Sequence, residues 1–164
     1  MAADGPRLVY TVAADAPPRA LVLDTNIALD ALVFADPGVA ALPALLASGH
    51  LRWIGTETMR AELARVLGYP QIVPRLAYYG LHAPEVLARW DALVQRVSAA
   101  PRIAFVCKDA DDQHFLDLAA AHGALLLSKD KAVLCMRKRL QRMGADIATA
   151  VQADAAAPAA PAAA

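Results

Sequence analysis

Leu21-Val22-Leu23-Asp24-Thr25-Asn26 decides how the chain is read. Leu21 to Leu23 form a short apolar run, and an acid, a hydroxyl and an amide arrive together where it stops. A continuous apolar run that breaks into polar residues is the pattern of a buried parallel strand reaching its C-terminal end. Ligands of open α/β sheets bind at that edge. Asp24 is therefore placed at a candidate site, with a plain helix cap as the alternative, because Asp, Thr and Asn are common caps.

Outward from this stretch, strands and helices alternate. Strand one covers about 20–24. Asn26 is expected to cap a helix over about 27–34, which Asp36-Pro37-Gly38 breaks. A second helix is expected over 39–48 and a strand over 51–54. A third helix, capped by Thr56 or Thr58, runs to about Leu67 with Met59, Leu63, Val66 and Leu67 as its apolar stripe. Gly68, Pro70 and Pro74 give an irregular link, and the next helix spans about 84–97. Ile103 to Cys107 are expected as a strand, 112–122 as a helix stopped by Gly123, and Ala124 to Leu127 as a buried strand. A basic helix follows to about Met143, and 145–148 are a last edge strand. This alternation predicts an α/β fold with a mainly parallel central sheet covered on both faces.

The domain boundaries are expected at 19–150. Residues 1–18 form a loose arm, with Leu8 to Val12 pairing as an edge strand in the alternative. Residues 151–164 are Ala and Pro, a composition that buries no core, and are expected to be disordered. The 164 residues suffice for one domain with a real core. Apolar runs are too short for a membrane span, and no signal peptide pattern opens the chain. Cys107 and Cys135 are isolated thiols, which fits a reduced cytoplasm better than a disulfide scaffold. A formal net charge of zero argues against nucleic-acid binding by bulk charge, but leaves room for a local basic patch.

Carboxylates stand at three expected strand ends: Asp24, the run Asp109 to Asp112, and Asp130. Glu62 lies on an early helix. Two unit charges about 4 Å apart repel by roughly 4 kcal/mol at an effective dielectric near 20. A gathering of three or four acids therefore needs a cation. Mg²⁺ and Mn²⁺ take oxygen ligands, and no Cys/His spacing competes with them.

Leu23-Asp24-Thr25-Asn26, Arg60-Ala61-Glu62-Leu63, Asp109 to Leu116 and Ser128-Lys129-Asp130-Lys131 follow one another in that order. Over about residues 19 to 148 the chain resembles a PIN domain, of the branch described as toxin components of type II toxin–antitoxin systems. The resemblance implies a PIN-like three-layer α/β/α sandwich and a Mg²⁺- or Mn²⁺-dependent ribonuclease that cuts single-stranded RNA, leaving a 5′-phosphate and a 3′-hydroxyl. By position, Asp24, Glu62, Asp112 and Asp130 are the implied acidic quartet. Asp24 and Asp112 are the principal metal ligands, with Asp109 in reserve. Glu62 binds through water or orients it, and Asp130 completes the shell. Asn26, Thr25 and Ser128 are implied supports of the carboxylates or the scissile phosphate. Lys129, Lys131 and Arg60 are the expected phosphate contacts. One departure is Ala132, where some relatives carry a further acid. The resemblance also implies a small antitoxin partner and a homodimer.

Blander readings stand beside these. Glu62 alone fits a solvated helix acid, Asp130 a first-turn acid, and the basic segment a solvated face. Trp53 and Trp90 read as packing, and His114 as a surface residue. Two other functions are weighed. A haloacid-dehalogenase-like phosphohydrolase needs Asp-x-Asp, where this chain has Asn26. A catalytically silent protein-binding module is the remaining alternative.

Overall fold

The computed structural model describes residues 7–154. β1 is Val9–Val12 and β2 is Arg19–Leu23. From β2 the chain enters α1, Thr25–Leu29, which continues as a wider π-helical turn over Asp30–Phe34. A 3-10 turn, Pro37–Val39, leads to α2, Leu42–Ala47, and then β3, Leu51–Gly55. Three helices follow: α3 Glu57–Leu67, α4 Val73–Tyr78 and α5 Ala83–Leu93. β4 is the short pair Gln95–Arg96. After a long loop come α6 Gln113–His122, β5 Leu125–Leu127, α7 Lys131–Leu134, α8 Arg137–Arg142, β6 Asp146–Ala148 and β7 Ala150–Ala153.

The central sheet has five strands in the order β4-β3-β2-β5-β6, and every pairing is parallel. Helices flank it in a three-layer α/β/α sandwich, as the alternation of elements predicts. The apolar runs are buried because they lie in the middle of this sheet. Leu21, Val22 and all of Leu125 to Leu127 have no exposure. The register Leu21↔Leu125 and Leu23↔Leu127 brings the C-terminal ends of β2 and β5 level. At the other edge Arg19 ties three turns together. Its guanidinium donates to the Gly123 carbonyl at 3.0 Å and the Tyr10 hydroxyl at 2.8 Å, and pairs with Asp146 at 2.7 Å.

Several expectations are corrected. Ile103 to Cys107 do not form a strand. The fourth strand is Gln95–Arg96, paired through Ile54↔Gln95, and residues 97–109 run as a loop along α6. Side chains of α6 satisfy that loop in place of a ladder. Asp117 accepts from the Ile103 amide at 3.0 Å. Gln113 accepts from the Cys107 amide at 2.6 Å and donates to the Phe105 carbonyl at 3.0 Å. The helix after β2 is capped by Asp24 and not Asn26. The link after α3 contains α4, because Pro74 suits the first turn of a helix. The helix at 84–97 ends at Leu93, and the basic helix is two short helices broken at Cys135 and Met136.

An early and a late strand of the described residues pair with each other. β1, from the segment read as an arm, pairs in parallel with β7, from Val9↔Ala150 to Val12↔Ala153. β7 thus runs past the boundary expected at residue 150. The remainder of the expected tail, from residue 155, lies outside the described residues. No single helix among the described residues is long and apolar enough to cross a membrane.

α5 sits so close to β3 that residue 55 has to be glycine. A Cβ there would lie 2.8 Å from Cζ2 of Trp90 and 3.0 Å from Cγ1 of Val94. Gly55→Val is expected to destabilise the protein by about 1–3 kcal/mol in urea denaturation, as overpacked cores do. Unchanged stability would mean that α5 is not seated on this strand.

Candidate active site

Asp24 follows the last residue of β2 and continues the ladder by one step, its amide donating to the Leu127 carbonyl at 3.2 Å. That step sets it beside Ser128, which follows β5. The Ser128 hydroxyl donates to Asp24 Oδ2 at 2.5 Å, and Asp24 Oδ1 caps α1 by accepting from the Ile27 amide at 2.9 Å. Asp24 is 5% exposed and Ser128 is fully buried. Burial lifts the Asp24 carboxyl to about 6, against those two hydrogen bonds and with help from the charges of Asp130 and Asp30. The Ser128 oxygen also accepts from the Asp130 amide at 3.1 Å, so one hydroxyl orders two acids.

Asp109, Asp112 and Asp130 come together. Each offers a carboxylate oxygen, and these oxygens lie within 4.8 Å of one another. Asp109 caps the short 3-10 turn Ala110–Asp112 through the Asp111 amide, and Asp130 caps α7 through the Ala132 amide. Asp112 stands at the start of α6 but makes no side-chain cap hydrogen bond. Its Oδ2 is buried without a hydrogen-bond partner. Burial raises its pKa well above the carboxylate range, reinforced by a hydrogen bond shared with Asp130 and by the charges of Asp130, Asp109 and Asp24.

Glu62 belongs to a separate constellation. Thr25 donates its hydroxyl to Oε2 at 2.5 Å, and His114 Nε2 lies 3.7 Å from Oε1. Burial pushes the Glu62 carboxyl up, but the bonds from His114 and Thr25 outweigh it and hold it below its ordinary value. The surroundings of Glu62 thus favour its charged form, whereas those of Asp112 disfavour it. His114, expected at the surface, is half-buried against Phe115, with ring centroids 4.1 Å apart and Nδ1 lacking a partner.

Three expected contacts are corrected. Arg60 is engaged elsewhere, donating two hydrogen bonds to the Asp91 carboxylate at 2.7 and 2.8 Å. Lys129 is engaged by Asp30 at 2.8 Å and Asp36 at 3.7 Å, both acids from the turns after α1. Asn26 is exposed and makes no side-chain hydrogen bond among the described residues, whereas Lys131 is exposed and unpaired among them. Sequence reasoning missed Asp30, whose charge acts on Asp24, and His114. Asp30 lies near Asp24 in sequence but pairs with the distant Lys129, and His114 lies beside the distant Glu62, so no local pattern marks either.

The donor set fits a hard divalent cation. It consists of carboxylate oxygens alone, one of them orphaned and buried, at a spacing that a single ion can bridge. Without a cation, the raised Asp24 pKa gives a signed prediction. Between the unfolded value of 3.8 and about 6, the folded protein binds more protons than the unfolded one, so stability falls as pH rises through that window. Thermal melts in EDTA from pH 4 to 7 on an about one-unit grid are expected to show wild type losing stability relative to Asp24→Asn. The opposite trend would overturn the assigned environment of Asp24.

Comparison with known proteins gives the family. The PIN domain family model matches residues 20–132. None of the curated proteins matches. Among solved structures, the chain is similar to VapBC2 from Rickettsia felis bound to a DNA fragment from their promoter. Identity is 13%, the TM-score is 0.50, and the match covers 82% of this chain and 98% of that one. At that identity the likeness concerns the fold. The chain belongs to the PIN domain family, whose members are typically phosphodiester-cleaving nucleases.

Proposed function

We propose that this protein is a Mg²⁺- or Mn²⁺-dependent endoribonuclease that cuts single-stranded RNA in the cytoplasm. In this reading it is the toxin of a toxin–antitoxin pair, held by a small antitoxin and assembled as a homodimer. The observation that carries the catalytic part is the convergence of Asp109, Asp112 and Asp130 on one point, with Asp24 close enough to shift the titration of Asp112. Family membership supports phosphodiester hydrolysis, and the likeness to VapBC2 supports the pairing with an antitoxin.

Asp24, Asp112 and Asp130 would hold the cation, with Asp109 offering a further oxygen. A bound divalent ion supplies a lowered water pKa and charge stabilisation at the phosphoryl oxygen. Ser128 fixes the orientation of Asp24 and, by accepting from the Asp130 amide, the placement of Asp130. Asp24 keeps little freedom, because both its oxygens already accept a hydrogen bond. Glu62, held by Thr25, would orient the attacking water.

Cleavage of an unstructured RNA in Mn²⁺, followed on gels, tests this. EDTA is expected to abolish it, and Asp24→Asn or Asp112→Asn to lower it at least about 100-fold. Ser128→Ala removes only the group that orients a ligand, so roughly 10- to 100-fold is expected. Full activity of Asp24→Asn, or equal cleavage in EDTA, would refute the mechanism.

A further inference from the structure

The chain is neutral overall, yet its cations are unevenly spent. Salt bridges hold Arg19, Arg60, Arg65, Arg96 and Lys129. Another group has no carboxylate partner among the described residues: Arg102 and Lys108 on the 97–109 loop, and Lys131, Arg137, Lys138 and Arg142 on α7 and α8. With Arg139 these are seven of the chain's sixteen Lys and Arg. Residues 97–108 and 131–145 contain no acid at all. An ordinary solvated helix face intersperses both signs, and this one does not.

The two elements form one surface. The Cys107 thiol donates to the Ala132 carbonyl at 3.4 Å, which holds the loop on α7. The Arg139 guanidinium lies 5.8 Å from the centre of the Phe105 ring, which holds the loop on α8. The surface is continuous with the acidic centre, since Lys108 precedes Asp109 and Lys131 follows Asp130. It also carries apolar atoms among the charges, with Val106 61% exposed and Phe105 half-buried beside it.

We infer that the 97–109 loop together with α7 and α8 forms the track along which a single-stranded RNA enters the acidic site. The inference rests on the nuclease reading and adds where the strand lies. The acidic centre repels phosphates, so a strand reaching it needs attraction from a neighbouring surface. Unpaired cations on both elements supply that attraction without first breaking an ion pair. Arg60 and Lys129 would have to leave Asp91 and Asp30. Val106 and Phe105 offer a face on which bases pack.

The test is fluorescence anisotropy of a labelled unstructured oligoribonucleotide in EDTA, across a salt series. Wild type is compared with a triple variant, R102Q/K138Q/R142Q, and with Arg52→Gln on β3 as the control. All four positions are exposed, and circular dichroism checks folding. The triple variant is expected to bind at least about 10-fold more weakly near 0.1 M salt, with a log–log salt slope shallower by about 2, since each lost single-strand phosphate contact removes about 0.7. Arg52→Gln is expected to match wild type. Equal affinity and slope in the triple variant, while wild type still cuts the same RNA in Mn²⁺, would overturn the track alone. No binding and no cutting by wild type would overturn the track and the nuclease reading together. Displacement of the RNA by polyglutamate at equal charge concentration would assign the surface to an acidic protein instead, and so overturn it.

Discussion

The register between β2 and β5 is the constraint on which the site depends. Leu23↔Leu127 closes the ladder, and the Asp24 amide adds one more bond to the Leu127 carbonyl. Asp24 and Ser128, which lie 104 positions apart in the chain, become side-by-side neighbours for that reason. A slip of one residue would turn every side chain of β2 to the other face and carry Asp24 away from the hydroxyl. The slip is opposed by burial, because Leu21, Val22 and Leu125 to Leu127 would all have to exchange their surroundings. The core thus sets the position of the acid, and the acid has little freedom to set its own.

Electrostatics then divide the acids into two kinds. Asp24 and Asp112 are pushed up by burial, while Glu62 is held down by hydrogen bonds that outweigh its burial. The first pair sits in a place that disfavours its own ionisation, which is costly unless a cation or a proton intervenes. No cationic side chain of the described residues does so. Lys129, which stands between Ser128 and Asp130, is turned to Asp30 and Asp36. Net neutrality of the chain therefore conceals a local excess of negative charge that its own lysines and arginines leave uncompensated.

The part of this arrangement that sequence conveys is the part set by local pattern. Asp24 and Ser128 were legible because each ends an apolar run that only a buried strand explains. Asp130 was legible as an acid just past a strand end, though it caps α7 where a first-turn position was the bland expectation, and Asp109 to Asp112 as an acidic cluster. Ile103 to Cys107 were misread for a physical reason. Their apolar content suits a strand, but Gln113 and Asp117 offer their backbone other partners, at an i, i+4 spacing that places both on the α6 face against the loop. Ion pairs such as Arg60–Asp91 and Lys129–Asp30 span 31 and 99 positions, and no local pattern encodes which acid wins.

The misread segment is also where the two halves of the site are joined. Gln113 and Asp117, both buried, hold the 97–109 loop by its backbone, and that loop leads directly into Asp109 and Asp112. The same loop rests on α7 through Cys107 and on α8 through Phe105, so the element that positions two acids also forms half of the cationic surface. A strand at this place would have committed to a ladder the backbone groups that Gln113 and Asp117 hold here. A loop fixed by side chains, and not by a ladder, keeps its own cations in solvent while its far end stays in register with the acids. Fixed acids and accessible cations make opposite demands on a backbone, and anchoring by Gln113 and Asp117 is how this chain meets both.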